Sequence, residues 1–447
     1  MTSLETHLKY AVQNTPRYTS YPTAPHFQEG ITGKVYASWL GELGRSDTGS
    51  LYVHIPYCRE MCWYCGCSTR ATRRQAPIAA YLETLMREIK QTAALAPERL
   101  RIGHLHFGGG TPTILSGDQL AALMEALRRH FDIDPEAEIA IEIDPRVFTP
   151  ELASNLVGLG VNRASIGVQT FDPVVQAKIN RTQSYDTVAR CTEALRHAGI
   201  NRISFDILYG LPAQTRDSCI NTLRQALQLR PDRVSVFGYA HVPHMRRQQR
   251  LIDENDLPKP AARIEQALAI AEALAGEGYV QIGIDHYARA DDNLARLAAA
   301  KGVCRNFQGY TTDQSSFLIG LGASAISRLP RGYAQNTADV RAWSQAIETV
   351  QLATCRGIEL SREDRVRGAV IERLMCDLEA DIGAIAASQG TSLDLPDLAD
   401  LEADGLVLCN GSRIAIPESC RMLARIVAAR FDAHLQNRSA VRHSSSV

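Results

Sequence analysis

An α/β fold is predicted, with six strand-then-helix units in series forming a full or partial barrel rather than an open doubly wound sheet. Three observations carry this. Short β-branched runs alternate with helical spacing from about residue 50 to residue 284. Such a series implies parallel strands joined by right-handed crossovers. Polar or glycine residues also stand at the C-terminal end of every expected strand. Barrel enzymes gather their chemistry from all strand ends onto one face, whereas an open sheet concentrates it at one switch point.

Residues 1–47 hold no long periodic element and read as an arm lying extended on the surface. Within it, Thr15-Pro16-Arg17-Tyr18-Thr19-Ser20-Tyr21-Pro22-Thr23 offers Arg17 to an anion if the segment tucks against a site. Residues 51–55 alternate apolar side chains and form the first strand; a helix over 79–94 follows, with Leu82, Leu85, Met86 and Ile89 at helical spacing and Pro97 beyond its end. The second strand is 102–107. Ser116 then opens a helix, with Gln119 as its capping-box partner. The third strand is 139–143, and Thr149-Pro150-Glu151 starts a helix that stops near Gly158 and Gly160. Strand 163–168, helix 185–198 with Gly199 behind it, strand 202–208, helix 216–229, strand 233–239 and helix 261–275 complete the series, and 279–284 reads as a further strand.

Beyond about residue 330 the pattern changes to helices over 338–354 and 365–375. A hairpin follows across 404–416, turning at Asn410-Gly411 with positive φ at both, then a helix to about residue 435 and the polar tail Ser444-Ser445-Ser446. The chain therefore divides into an arm over 1–47, a barrel over 48–330 and a small, mainly helical, winged-helix-like domain over 331–447. Without a basic stripe, that last domain reads as a lid or packing unit rather than a DNA reader.

Composition bounds the function. Of 447 residues 45% are apolar and 22% charged, and 48 basic side chains balance 49 acidic ones, so no global field recruits nucleic acid or anionic membrane. No apolar run approaches the roughly 20 residues of a membrane span. Met1-Thr2-Ser3-Leu4-Glu5-Thr6-His7 has no apolar signal core. These points place the protein in a reducing cytoplasm, where clustered cysteines are metal ligands more often than disulfides.

Four of the eleven cysteines fall within ten residues: Cys58, Cys62 and Cys65 in a Cys-x3-Cys-x2-Cys spacing, then Cys67. A zinc site draws two close pairs from separate knuckles, and no second pair lies downstream. Three thiolates from one loop suit a 4Fe–4S cluster with one open iron; Cys67 as a fourth ligand is awkward through a single glycine. Gly108-Gly109-Gly110-Thr111 after the second strand lets backbone approach a ligand, although a triple glycine alone is also an ordinary tight turn. Glu142, Gln169 and Asp206 are polar groups at apolar strand ends; each alone would be a satisfied core residue, and three together point to a site. Arg181 offers a partner to a ligand carboxylate, or a surface ion pair.

Taken together, these motifs resemble the radical S-adenosylmethionine (SAM) superfamily and, within it, the oxygen-independent coproporphyrinogen III oxidases. The likeness rests on the arm segment 16–23, the cysteine loop with Tyr64 and Cys67, Gly108–Thr113 as one loop, Asp206-Ile207-Leu208-Tyr209-Gly210-Leu211-Pro212 and Asn306-Phe307-Gln308-Gly309-Tyr310-Thr311-Thr312. Related haem-trafficking proteins typically lack the arm and the fourth cysteine. The resemblance implies a partial (β/α)6 TIM-type barrel. It implies a 4Fe–4S cluster on Cys58, Cys62 and Cys65, with Cys67 not a ligand. It implies two SAM molecules, the first lined by Tyr52, Gly109, Glu142 and Ile326, the second by Tyr64, Gly110, Thr111, Gln169, Arg181, Asp206 and Ala240. The implied reaction uses a 5′-deoxyadenosyl radical to turn two propionates of coproporphyrinogen III into vinyl groups, giving protoporphyrinogen IX in haem biosynthesis. A monomer served by an electron donor such as a flavodoxin-type protein is implied, with Arg17 and Arg246-Arg247 as candidate partners for substrate carboxylates. The alternatives are a haem-binding chaperone of the same fold and a zinc-binding or nucleic-acid-binding scaffold.

Overall fold

The computed structural model describes residues 4–44 and 47–435. All six expected strands form: β1 Thr48–Ile55, β2 Arg101–Gly109, β3 Asp132–Ile143, β4 Arg163–Gln169, β5 Arg202–Tyr209 and β6 Arg233–Gly238. Each pairs in parallel with the next. The crossovers run through α1 Ala76–Ala93, α2 Gly117–His130, α3 Pro150–Gly158, α4 Tyr185–Ala198 and α5 Arg216–Gln228, and α6 Pro260–Gly276 follows β6. The caps form as expected. Ser116 and Gln119 close a capping box, Thr149 accepts from the Leu152 amide, and Gly199 ends α4 at φ +111°. Each occupies backbone groups that a helix end would otherwise leave unpaired.

The sheet is wider than the series. After α6 come β7 Tyr279–Ile282, β8 His286–Arg289, a separate hairpin of β9 Cys304–Asn306 and β10 Gly309–Thr311, then β11 Phe317–Leu321, β12 Ile326–Leu329, β13 Gly332–Asn336 and, after helix α7 Val340–Glu348, β14 Thr354–Glu359. The order is β14-β13-β12-β11-β1-β2-β3-β4-β5-β6-β8-β7, with two open ends among the described residues, so the barrel is partial. β11 lies parallel to β1 on the side away from β2. The expected further strand near residue 280 is β7, an antiparallel edge against β8. The sheet continues past residue 330 through β13 and β14.

Side chains alternate along much of the six strands. Leu51, Val53 and Ile55, then Ile139, Ile141 and Ile143, then Ala164, Ile166 and Val168 are buried in the core shared with the helices. Their alternates, Tyr52 and His54, Glu138 and Glu142, Arg163 and Ser165, line an internal cavity. A barrel interior is ordinarily filled by layers of branched apolar chains. Here it is polar and open, at about 680 Å³. Its N-terminal end is crossed by ion pairs, Arg163 with Glu138 at 3.1 Å and Arg233 with Asp292 at 2.9 Å, and His104 Nδ1 lies 3.3 Å from Asp313.

Four expectations are corrected. The arm is neither extended nor on the surface. It forms helices Leu4–Ala11 and Gly33–Leu40 and a short 3-10 turn, and Tyr18, Tyr21, Phe27, Tyr36 and Trp39 are buried. Tyr18 Oη donates to Asp432 at 3.1 Å and the Ala433 amide to Tyr21 Oη at 3.2 Å, so the arm packs under the C-terminal segment. Aromatic rings at non-periodic spacing supply the apolar area that drives this burial. The expected helix over 338–354 ends with α7 at Glu348, before Val350 turns to φ +57°. Helix α8 spans Arg362–Asp377, and β15 Glu379–Asp381, β16 Leu408–Asn410 and β17 Arg413–Ala415 form a small sheet. Asn410 pairs with Arg413, so the hairpin turns at Gly411-Ser412, with Gly411 at φ +59° as a Gly-first turn requires. The last expected helix is a 3-10 turn over Glu418–Leu423 and a helix over Ala424–Ala429. The residues Met1–Ser3 and the tail Ser444-Ser445-Ser446 lie outside the described residues.

Candidate cluster and cofactor site

The cysteine loop leaves the C-terminal end of β1. It is tied to the glycine loop by backbone bonds from Gly110 N to Ile55 O at 2.8 Å and from Thr111 N to Tyr57 O at 2.9 Å. A Cβ on Gly110 would stand 2.7 Å from Tyr57 O, so only glycine permits the two loops to lie this close.

The donors around the three thiols differ. Cys58 Sγ has the hydroxyls of Thr69 at 3.3 Å and Thr111 at 3.4 Å. Cys62, buried, accepts from Arg146 Nη2 and Arg181 Nη1, each at 3.5 Å. The Cys67 amide donates to Cys65 Sγ at 3.4 Å, and hydrogen bonding from Cys67 holds the Cys65 thiol below its usual range despite burial. Burial pushes Cys58 up, the hydroxyls opposing it. Donors and guanidiniums directed at sulfur favour thiolates, the form that ligates iron. The set therefore fits an anionic, thiolate-held cluster. Among the described residues no three His, Cys, Asp or Glu donors gather round a single-ion position.

The cavity opens beside this loop. Tyr52, Gly109, Glu142 and Ile326 all line it, as do Cys67 and Asp206. Glu142 Oε1 lies 3.2 Å from His106 Nε2, and Glu142 Oε2 accepts from Gly109 N at 3.1 Å. Burial works against the charged form, but His106 and the Gly109 amide hold the carboxyl below its ordinary value. A Cβ on Gly108 would reach 2.7 Å from Glu142 Oε1, so this glycine makes room for the carboxylate. Asp206 accepts from Ser165 Oγ at 3.0 Å, and burial followed by repulsion from Glu142 pushes it up to about 6.

The other expected contacts lie off this cavity wall. Thr111 and Arg181 touch the cysteines. Arg181 Nη2 also donates to Gly167 O at 2.6 Å and approaches Asp144 at 3.5 Å. Gln169, at φ +63°, stands beside Arg181 over Gly167. Tyr64 and Ala240 are brought together by a residue not anticipated: buried Gln249 donates to Tyr64 O at 2.9 Å and to Ala240 O at 3.2 Å. Arg17 lines the cavity, whereas neither Arg246 nor Arg247 does. The unanticipated lining residues His54, His106 and Arg163 share one signal. Each alternates with a buried apolar residue on its strand, so strand periodicity alone points them inward.

The radical SAM superfamily model matches residues 52–226. The oxygen-independent coproporphyrinogen III oxidase of Bradyrhizobium diazoefficiens is 51% identical over 433 residues, covering 96% of each chain. That of Pseudomonas aeruginosa is 41% identical, covering 96% of this chain and 95% of the relative. The solved coproporphyrinogen III oxidase of Escherichia coli, described as a radical SAM enzyme, superposes with a TM-score of 0.88 at 36% identity, covering 94% of this chain and 100% of that one. With the thiol loop, the polar barrel interior and the arm all present, the chain belongs to the oxygen-independent coproporphyrinogen III oxidase family of the radical SAM superfamily.

Proposed function

We propose that this protein converts two propionate side chains of coproporphyrinogen III to vinyl groups without oxygen, giving protoporphyrinogen IX. Membership of the oxidase family supports the reaction. The observation that carries it on this chain is the placement of three thiols on one loop beside a polar cavity of about 680 Å³. Cys58, Cys62 and Cys65 would hold a 4Fe–4S cluster, and two SAM molecules would bind beside it. When bound, these groups supply the one-electron chemistry that removes a hydrogen atom from a propionate.

The chain's own residues orient and shield. Glu142, fixed by His106 and Gly109, presents a carboxylate to a SAM ammonium or ribose hydroxyl. Tyr52 and Ile326 form the apolar part of that wall. Arg181 and Asp206 stand ready for the second molecule, with Tyr64, Gly110, Thr111, Gln169 and Ala240 around it. The arm covers one side of the cavity and keeps water from reactive species. The protein works as a monomer in the cytoplasm and takes electrons from a flavodoxin-type donor. No helix among the described residues is long and apolar enough to cross a membrane.

The test is an anaerobic incubation of cluster-reconstituted protein with coproporphyrinogen III, SAM and reductant. Vinyl product, methionine and 5′-deoxyadenosine are expected together. Tight haem binding with no vinyl product would replace this reading with a haem-binding chaperone.

A further inference from the structure

A second cavity, of about 160 Å³, lies where the arm, the barrel and the C-terminal segment meet. Arg17 and Asp285 line both this cavity and the large one, so the two share a wall. At this volume it is below the usual size of a pocket for a whole organic ligand, about 300 Å³ upward. It suits one arm of a larger molecule seated next door.

Its charge is unbalanced. Arg17, Arg263 and Arg425 line it, and Arg305, on the shared side, interacts with Arg425 and Asp285. Arg421 and Glu418 neutralise each other through hydrogen bonds of 2.6 and 2.7 Å. Arg17 and Arg263 remain on the wall beside one further carboxylate, Asp285, which His286 and Arg305 hold at about 2 against the opposing effect of burial. Burial, and then repulsion from Arg17 and Arg305, bring Arg425 down to about 10. Arg17 and Arg263 each spend a hydrogen bond on a backbone carbonyl, Gly238 O at 2.7 Å and Tyr239 O at 2.8 Å. Arg263 Nε is buried with no hydrogen-bond partner. Crowded like charges in a poorly hydrated space are costly unless an anion joins them.

We propose that this cavity binds a carboxylate arm of the tetrapyrrole substrate, with Arg17 and Arg263 as its cationic hooks. The inference rests on the reaction proposed above. The substrate carries propionates that do not react as well as those that do, and a site away from the thiol loop holds one of the former. A propionate here brings one negative charge to a cluster that lacks it, and fixes how the ring lies in the larger cavity.

The test is a fluorescence titration of the reconstituted protein with coproporphyrin III, the stable oxidised form of the substrate, and with its tetramethyl ester. Arg263→Gln is expected to weaken binding of the acid by about ten-fold to a hundred-fold, as loss of a charged hydrogen bond does. Its affinity for the ester should equal that of the unaltered protein. If Arg263→Gln fails to fold, Arg17→Gln on the arm takes its place in the same comparison. Should the unaltered protein bind and turn over substrate while the variants bind the acid equally well, this site is wrong and the reaction stands. Should the unaltered protein neither bind coproporphyrin III nor form vinyl product, the functional reading fails and the site falls with it.

Discussion

His106 Nε2 and Glu142 Oε1 meet at 3.2 Å across adjacent strands β2 and β3, with the Gly109 amide on the other carboxylate oxygen. The glycine loop and the carboxylate are thereby one unit on the cavity wall. Glu142→Gln keeps the shape and removes the charge. The reconstituted variant is expected to retain its iron while its Kd for SAM rises about ten-fold or more. Equilibrium dialysis measures this, and an unchanged Kd would remove Glu142 from the SAM contacts.

The four clustered thiols should separate by function. Cys58→Ala, Cys62→Ala and Cys65→Ala are each expected to lose iron and sulfide on anaerobic reconstitution. Cys67→Ala is expected to keep both, since its side chain lines the cavity. Iron and sulfide analysis with the visible spectrum reads the result; loss of the cluster in Cys67→Ala would make it a ligand.

Gly109 carries φ +118°, and a Cβ there would lie 2.7 Å from the His54 ring and 3.0 Å from Ile55 O. Gly109→Ala is expected to cost about 1–3 kcal/mol of stability, the range for a residue forced into a sparsely populated conformation. A urea midpoint equal to that of the unaltered protein would show that the loop relaxes freely.

Glu88 gives the fold a pH dependence of its own. Its carboxylate accepts from Gly322 N and from Asn336 Nδ2 at 2.7 Å, yet burial pushes it up to about 7 from an ordinary value of 4.5. The folded chain therefore binds a proton that the unfolded chain has released across this window. The stabilisation is fully present below pH 4.5 and is lost as pH rises toward 7, amounting to a few kcal/mol, about 1.4 per unit. Glu88→Gln should flatten this part of a Tm-against-pH curve. A variant that keeps the same slope would assign the effect to another group.

Local physics made much of the fold legible. The βα series, the caps at Ser116 and Thr149 and the stop at Gly199 depend on residues within one turn of each other, and the structure agrees closely there. The thiol spacing on a single loop was likewise readable without a partner strand. Contacts distant in sequence were not. β11 is an unbroken apolar run whose strand state follows from pairing with β1, and Gly49 leaves room for Phe317 only once the two meet. The arm's aromatics have no period, so their burial against the C-terminal segment could not be read. The hairpin at Gly411 slipped by one residue because register is set by cross-strand pairing with Arg413.

The amino-acid sequence by itself determined the order of the six parallel strands and their helices, the three-thiol loop and the residues that end those strands, because these follow from short-range periodicity and chemistry. The tertiary structure alone decided which polar residues share a cavity. His106 finds Glu142 through strand pairing, Gln249 joins Tyr64 to Ala240 across a loop, and Arg17 reaches Gly238 over a separation of 221 residues. Those meetings depend on how the sheet curls and on where the arm is buried, and both are set by the packing of the whole chain.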